Sequence, residues 1–385
     1  MSYRIAALVL AVASLAGCGT TPRPASAPPA PTTTATTTTT APAADNAQPR
    51  SAATVADPCA AAVAQMSPRQ RLAQLLVVGV DPSDPAAATA LVRDQQVGGI
   101  FIGGNPTDLL RDGALDRVQQ AARWRVSVAI DEEGGRVQRI DQLDGPIPSA
   151  RKMAATMTTA QVRDLARTRG EQMRARGVTT DYAPSLDVSS QPDRGPIGDR
   201  SFSADPAVAR AYGLAFASGL RDAGIEPVVK HFPGHGRASG DSHDGQVTTP
   251  PLADLRTNDL KPYESIGEFG PVSVMVGHLS VPGLTGTTPA SIAPEAYRLL
   301  RQDYRFTGPV ITDDLGAMDA ITSVYSLPDA VLRALLAGAD QALWSAGGDV
   351  GPVLDRLEKA LASGELPESR VTEALSRVLP AKQTC

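Results

Sequence analysis

Eight short apolar runs, rich in β-branched residues, punctuate the chain from about residue 66 onward. They span 75–78, 99–102, 126–130, 179–183, 227–230, 273–276, 310–312 and 341–344, and longer stretches of helical period separate them. Runs this short and this apolar predict buried strands, and their alternation with helices predicts repeated β–α units about a parallel sheet. Helices are expected at 204–223, at 329–337 with Gly338 as the stop, and at 350–363 and 367–379.

Eight such units make an α/β chain that closes as a single (β/α)8 TIM-type barrel, although an open doubly wound sheet has the same alternation. The polar residues favour the barrel. Asp131 follows the third run, Asp187 lies just beyond the fourth, Lys230 and His231 end the fifth, His278 follows the sixth and Asp313 the seventh. A barrel collects strand ends into one ring, where its chemistry sits, whereas an open sheet spreads them along a line.

Ahead of the first run the composition changes. Met-Ser-Tyr-Arg leads into an apolar run from Ile5 to Ala16, too short to span a bilayer but the length of a signal-peptide core. Leu15-Ala16-Gly17-Cys18 resembles the bacterial lipoprotein box, in which the Cys is acylated and becomes the first residue. An ordinary secretory peptide with an incidental Cys is the alternative, and either way the chain is exported. Residues 19–57 are mostly Thr, Pro and Ala, including Thr36-Thr37-Thr38-Thr39-Thr40, with almost nothing large and apolar to bury. The organisation expected is a signal peptide over 1–18 with lipidated Cys18, a disordered tether over 19–57 and the barrel over 58–385. Extended at about 3 Å per residue, that tether lets the barrel stand up to roughly 100 Å from a lipid on the outer face of the cell membrane.

With Cys18 set aside, Cys59 and Cys385 remain, at the two ends of the folded part. Export permits a bridge, so a disulfide closing the domain is expected, with two free thiols as the alternative. Among 385 residues, 36 Lys and Arg against 41 Asp and Glu leave a net charge of −5. No basic field for a phosphate backbone results, which excludes nucleic acid as a partner.

All four histidines, His231, His235, His243 and His278, fall between residues 231 and 278, at strand ends or in the loops after them. The densest segment is Lys230-His231-Phe232-Pro233-Gly234-His235-Gly236, followed by Gly240-Asp241-Ser242-His243. A zinc site, a structural loop and an acid–base site are the three readings. The spacing matches no helical His pair, and the Gly and Pro residues make the segment a loop. Asp241 and His243 are two apart, so in an extended loop their side chains meet, and a carboxylate orients an imidazole for proton transfer near neutral pH. Thr312-Asp313-Asp314-Leu315 supplies two carboxylates at the end of the seventh run, one to attack carbon and one to support it or to cap a helix.

Four motifs together resemble family 3 glycoside hydrolases. They are Lys-His-Phe-Pro-Gly-His-Gly with Asp-Ser-His, Asp-Glu-Glu-Gly-Gly-Arg-Val-Gln-Arg at 131–139, Gly-Asp-Arg-Ser-Phe at 198–202 and Thr-Asp-Asp-Leu at 312–315. The match runs from about residue 66 to 345 and is nearest the β-N-acetylhexosaminidases of the peptidoglycan-recycling type, in their actinobacterial lipoprotein form. The resemblance implies Asp313 as nucleophile and His243 as acid/base assisted by Asp241. It implies a sugar-binding set of Asp131, Arg139, Arg200, Lys230 and His231, and neither metal nor organic cofactor. The substrate implied is a GlcNAc-bearing peptidoglycan fragment, cleaved with retention by a monomer. A phosphorylase releasing GlcNAc 1-phosphate and a non-catalytic wall-binding lipoprotein are the rivals. This subgroup departs from the two-carboxylate scheme by using a His, and the chain has no room for the second domain that completes the site in wider relatives.

Overall fold

In the computed structural model, which describes residues 59–385, eight parallel strands run in sequence order around a barrel. They are β1 (Leu76–Val80), β2 (Gly99–Ile102), β3 (Ser127–Ile130), β4 (Thr180–Asp181), β5 (Glu226–Phe232), β6 (Ser273–Val276), β7 (Val310–Thr312) and β8 (Ala342–Trp344). Each of the eight predicted runs overlaps one of them. β8 pairs with β1 through Leu76↔Ala342, and β7 meets β8 through an Ile311↔Gln341 bridge and the Thr312 N–H to Gln341 carbonyl bond at 3.1 Å. That contact closes the ring, so the open-sheet alternative is set aside. The signal peptide, Cys18 and the tether lie outside the described residues.

Alternation along each strand explains why the runs are apolar throughout. Val77, Phe101, Ala129, Tyr182, Val228, Met275, Ile311 and Leu343, one from each strand or its immediate end, fill the barrel interior as one buried cluster. Their neighbours, such as Leu76, Ile100, Val128 and Val229, face outward into the larger core beneath the helices. A side-chain period of two puts successive residues on opposite faces, and both faces here are dry. Phe101 and Tyr182 stack across the interior with ring centroids 5.5 Å apart.

The helices start and stop on local signals. Pro206–Asp222 begins where Asp205 accepts from the Ala207 and Val208 N–H groups, with Pro206 in the first turn. It packs closely on Thr159–Ala175, since a Cβ on Gly219 would lie 2.2 Å from the Arg163 carbonyl oxygen. Leu327–Ala337 starts two residues before the expected position because Ser326 caps it, and Gly338 ends it at φ 129°. The last two helices, Gly351–Ser363 and Glu368–Ala381, return the chain to the barrel floor. There the Lys382 ammonium donates to Gln74 Oε1 at 2.5 Å and to the Gly98 carbonyl at 3.1 Å. Cys385 is bonded to Cys59 at the other end of the domain, Cα to Cα 5.3 Å. Among the described residues no helix is long and apolar enough to cross a membrane.

Candidate active site

At the C-terminal ends of the strands lies a cleft of about 500 Å3. Asp131, Arg139, Arg200, Lys230, His231, Asp241, His243 and Asp313, nominated from separate parts of the sequence, all line it. Strand geometry explains part of this convergence. After β3, Asp131 and Glu133 face the cleft while Glu132 turns away to accept from the Arg139 and Ile140 N–H groups at 2.6 and 3.1 Å. Consecutive residues of a regular strand would not both face the cleft, yet Lys230 and His231 do. The β5–β6 register breaks between Val229 and Phe232, and such irregularities re-aim side chains beside active sites.

Glu133, which the sequence reading passed over, is the hub of the cationic wall. Its carboxylate accepts Arg200 in two-pronged fashion, Nε to Oε2 at 2.9 Å and Nη2 to Oε1 at 2.8 Å, and stands 2.6 Å from the Lys230 ammonium. Burial alone would raise the Glu133 carboxyl, but Arg200 and Lys230 outweigh that and hold it well below the ordinary value. Lys230 also donates to Asp131 at 2.8 Å, and Arg139 lies 3.6 Å from the same carboxylate. Burial pulls the Lys230 ammonium down and its two carboxylates more than restore it, so it stays charged.

Asp187, noted in the sequence only for its place beyond the fourth run, organises the histidines. Its Oδ2 lies 2.6 Å from His231 Nδ1 and its Oδ1 accepts the His235 N–H at 2.6 Å. On the other edge of the ring, His231 Nε2 is 3.3 Å from Arg200 Nη2. A guanidinium only donates, so the tautomer that satisfies both contacts carries its proton on Nδ1. His278 departs from the expected cluster. It is buried with Nδ1 2.6 Å from the Ser291 hydroxyl and Nε2 2.8 Å from the Asp314 carbonyl, and it supports the seventh strand end rather than lining the cleft.

Asp313 sits at the bottom of this cleft, 7 % exposed. Its Oδ1 accepts the Asp314 N–H at 2.9 Å, and Oδ2 takes no protein donor among the described residues. Burial pushes the carboxyl up, but His231, His278, the Asp314 N–H and Lys230 draw it below the ordinary value, so it is ionised and incompletely coordinated. Asp314 differs. It accepts from the Gly316, Ala317 and Ser345 N–H groups at 2.9, 3.2 and 3.1 Å and from the Ser345 hydroxyl, so both its oxygens are engaged. It holds a turn rather than the helix N-cap expected, since the next helix, Asp319–Thr322, begins after Met318.

Asp241 and His243 meet as their spacing suggested, but through a turn rather than an extended loop. Asp241 Oδ1 accepts the His243 N–H at 3.0 Å and lies 2.7 Å from its Nδ1, which leaves Nε2 for an outside partner. Burial raises the Asp241 carboxyl, and the His243 backbone and ring bonds bring it below its ordinary value. The His243 side chain is 59 % exposed, so the pair sits toward the mouth while Asp313 sits deep. The loop leans on the segment after β7, the Asp319 and Ala320 N–H groups donating to the His243 and Ser242 carbonyls at 3.4 and 3.3 Å. Ser242 adds a bond to Met318 Sδ at 3.6 Å. No group of three or more His, Cys, Asp or Glu side chains able to hold a metal occurs among the described residues.

A ring of charged donors and acceptors around an under-coordinated carboxylate suits a polyhydroxylated substrate, and likeness to known proteins places the chain among the glycoside hydrolases. Residues 68–381 match the model for the glycosyl hydrolase family 3 N-terminal domain, and the chain belongs to that family. It is 54 % identical over 326 residues to the beta-hexosaminidase LpqI of Mycobacterium tuberculosis, covering 83 % of this chain and 84 % of the relative. The beta-hexosaminidase of Thiobacillus denitrificans is 34 % identical over 262 residues, 65 % of this chain and 72 % of that one. Among solved structures, a family 3 glycosyl hydrolase from Mycobacterium smegmatis superposes with a TM-score of 0.80 at 52 % identity, covering 83 % of this chain and 98 % of that chain.

Proposed function

We propose that the protein is a retaining exo-β-N-acetylglucosaminidase that removes terminal β-linked GlcNAc from peptidoglycan fragments. The observation that carries this reading is the placement of two reactive groups in one cleft: Asp313, deep and ionised with one oxygen free, and the Asp241–His243 pair at the mouth. Asp313 attacks the anomeric carbon as His243 protonates the departing oxygen, giving a glycosyl ester on Asp313. His243 then takes a proton from water, which attacks the same carbon, releases the sugar and frees the carboxylate. Asp131, Arg139, Arg200, Lys230 and His231 grip the sugar hydroxyls, with Glu133 and Asp187 holding the cations and the ring in place. No cofactor enters the scheme. The relatives named beta-hexosaminidase support the acetamido sugar as substrate.

The lipobox ending at Cys18 supports an exported enzyme anchored to the outer face of the cell membrane, where wall fragments are available. The test is turnover of aryl β-GlcNAc against aryl β-glucoside, with and without phosphate, following product anomer by NMR. Release of β-GlcNAc from the acetamido substrate alone is the expected result. A GlcNAc 1-phosphate product makes the protein a phosphorylase, and absence of turnover makes it a wall-binding lipoprotein.

A further inference from the structure

A second cleft, of about 660 Å3, opens at the opposite end of the barrel, where the strands begin. Glu226 at the start of β5 and Gln383 near the chain's end both border it. Three guanidiniums line it, those of Arg221, Arg305 and Arg377, against that one carboxylate. Their partners differ. Arg377 is neutralised by Asp340 at 3.0 Å and Glu373 at 2.7 Å. Arg221 donates only to the Ser218 hydroxyl, at 3.1 Å, and its Nη1 is buried without a partner. Arg305 makes no hydrogen bond or ion pair among the described residues. Glu226 answers neither, because it accepts from the Ser273 hydroxyl at 2.5 Å and burial pushes its carboxyl up toward the neutral form.

Two guanidiniums that make no ion pair among the described residues, Arg221 with Asp222 as a charged but unbonded neighbour, share one concave site in a chain whose net charge is −5. A buried N–H left unmade is unfavourable, and a guanidinium fork matches phosphate or carboxylate geometry with paired, charge-assisted bonds. The remaining walls, Ile225, Ile266, Val272 and Phe306, are apolar. We propose that this floor cleft is a binding site for a phosphoryl anion, held by Arg221 and Arg305, with the apolar walls receiving the carbon skeleton that bears it. Gln383 stands two residues from Cys385, which is bonded to Cys59, so the described chain enters the barrel beside this cleft. The phosphoryl group comes either from a soluble phosphoester or from the headgroup of an anionic lipid. The inference is independent of the glycosidase reading, since the active cleft lies at the other end of the strands.

The test uses the full chain with Cys18→Ser, which removes any acyl anchor, and two probes. Inorganic phosphate at constant ionic strength is titrated against the melting temperature. Sedimentation with phosphatidylcholine vesicles is compared with and without phosphatidylglycerol. Wild type is expected to gain melting temperature with phosphate, and R221Q/R305Q to lose that gain. R305Q alone, at an exposed position, folds and is expected to weaken phosphate binding roughly tenfold, as for one charge-assisted bond. Neither variant should change turnover of an aryl glycoside. Arg305-dependent sedimentation with phosphatidylglycerol assigns the headgroup as the source, and an Arg305-dependent shift without sedimentation assigns a soluble phosphoester. A phosphate shift equal in wild type and both variants belongs to the catalytic cleft and overturns the proposal. No shift together with no phosphatidylglycerol-dependent sedimentation also overturns it.

Discussion

Asp313, deep in the cleft at the C-terminal ends of the strands, and Asp340 at the floor are both buried aspartates beside cationic or imidazole side chains, yet they differ in what remains uncoordinated. Asp340 Oδ2 accepts from Arg301 at 2.7 Å and the Val310 N–H at 3.0 Å, and Oδ1 from Arg370 at 2.6 Å and Arg377 at 3.0 Å. Asp313 has one protein donor on one oxygen. The two buried lysines make the same contrast. Lys230 stands between Asp131 and Glu133 with both carboxylates facing the cleft, whereas Lys382 meets the neutral Gln74 and Gly98 oxygens in the floor. Burial and charge alone therefore do not separate chemistry from architecture. On the proposed mechanism, residual coordination aimed into a cavity at the C-terminal ends of the strands does.

The contrast breaks first, if it is wrong, at Asp313. Asp313→Ala should lower turnover of aryl β-GlcNAc by at least about 10^4-fold, as for other catalytic nucleophiles, with the melting temperature nearly unchanged. Activity close to wild type would move the nucleophile elsewhere. His243→Ala should remove about 10^2- to 10^4-fold from a substrate with a poor leaving group. An aryl substrate should instead give a burst of nitrophenol and then slow turnover, because the same imidazole activates water in the second step. Equal slowing of both substrates without a burst would make His243 a sugar-binding residue.

At the floor the effects should fall on stability instead. Asp340→Asn leaves three guanidiniums around a neutral group and should cost about 3–5 kcal/mol in urea unfolding, with kcat of the folded protein unchanged. A loss of kcat at full stability would erase the distinction between the two ends. The smallest effect concerns Lys382, whose ammonium burial pushes down to about 7 from the ordinary 10.5. Between those values the unfolded chain holds a proton that the folded chain does not, so stability rises with pH across that window and flattens below it. Relative to Lys382→Met, wild type should gain about 1–3 kcal/mol between pH 7 and pH 10. Parallel stability curves for the two would show that Lys382 keeps its charge in the floor.

The eight strands were legible because each is a short, largely apolar run, and Asp131, Lys230, His231 and Asp313 because they sit at or just beyond those runs, whereas Arg139 and Arg200 were named only through the family resemblance of their motifs. Asp241 and His243 were legible as a pair for a related reason, since a contact between residues two apart is a local event. Glu133 was not, although it stands inside a quoted motif. Nothing in Asp131-Glu132-Glu133 states which carboxylate faces Arg200 and Lys230, and the path of the chain after β3 decides it. His278 shared the clustering of the other histidines and was read with them, but its ring turns to Ser291 and Asp314.

By itself, then, the order of residues determined the β–α alternation, the caps and stops of helices such as Pro206–Asp222, and the ring of polar strand ends, all consequences of period and short-range contact. Only the tertiary structure decided the partners. Lys230 and Asp131 are 99 residues apart in the chain, Arg200 and Glu133 67, and His231 and Asp187 44. It also decided the closure of the barrel between β7 and β8, and the gathering of Arg221 and Arg305 into one floor cleft. Such contacts depend on how strands register and helices pack around the whole ring, and no local run of residues encodes that geometry.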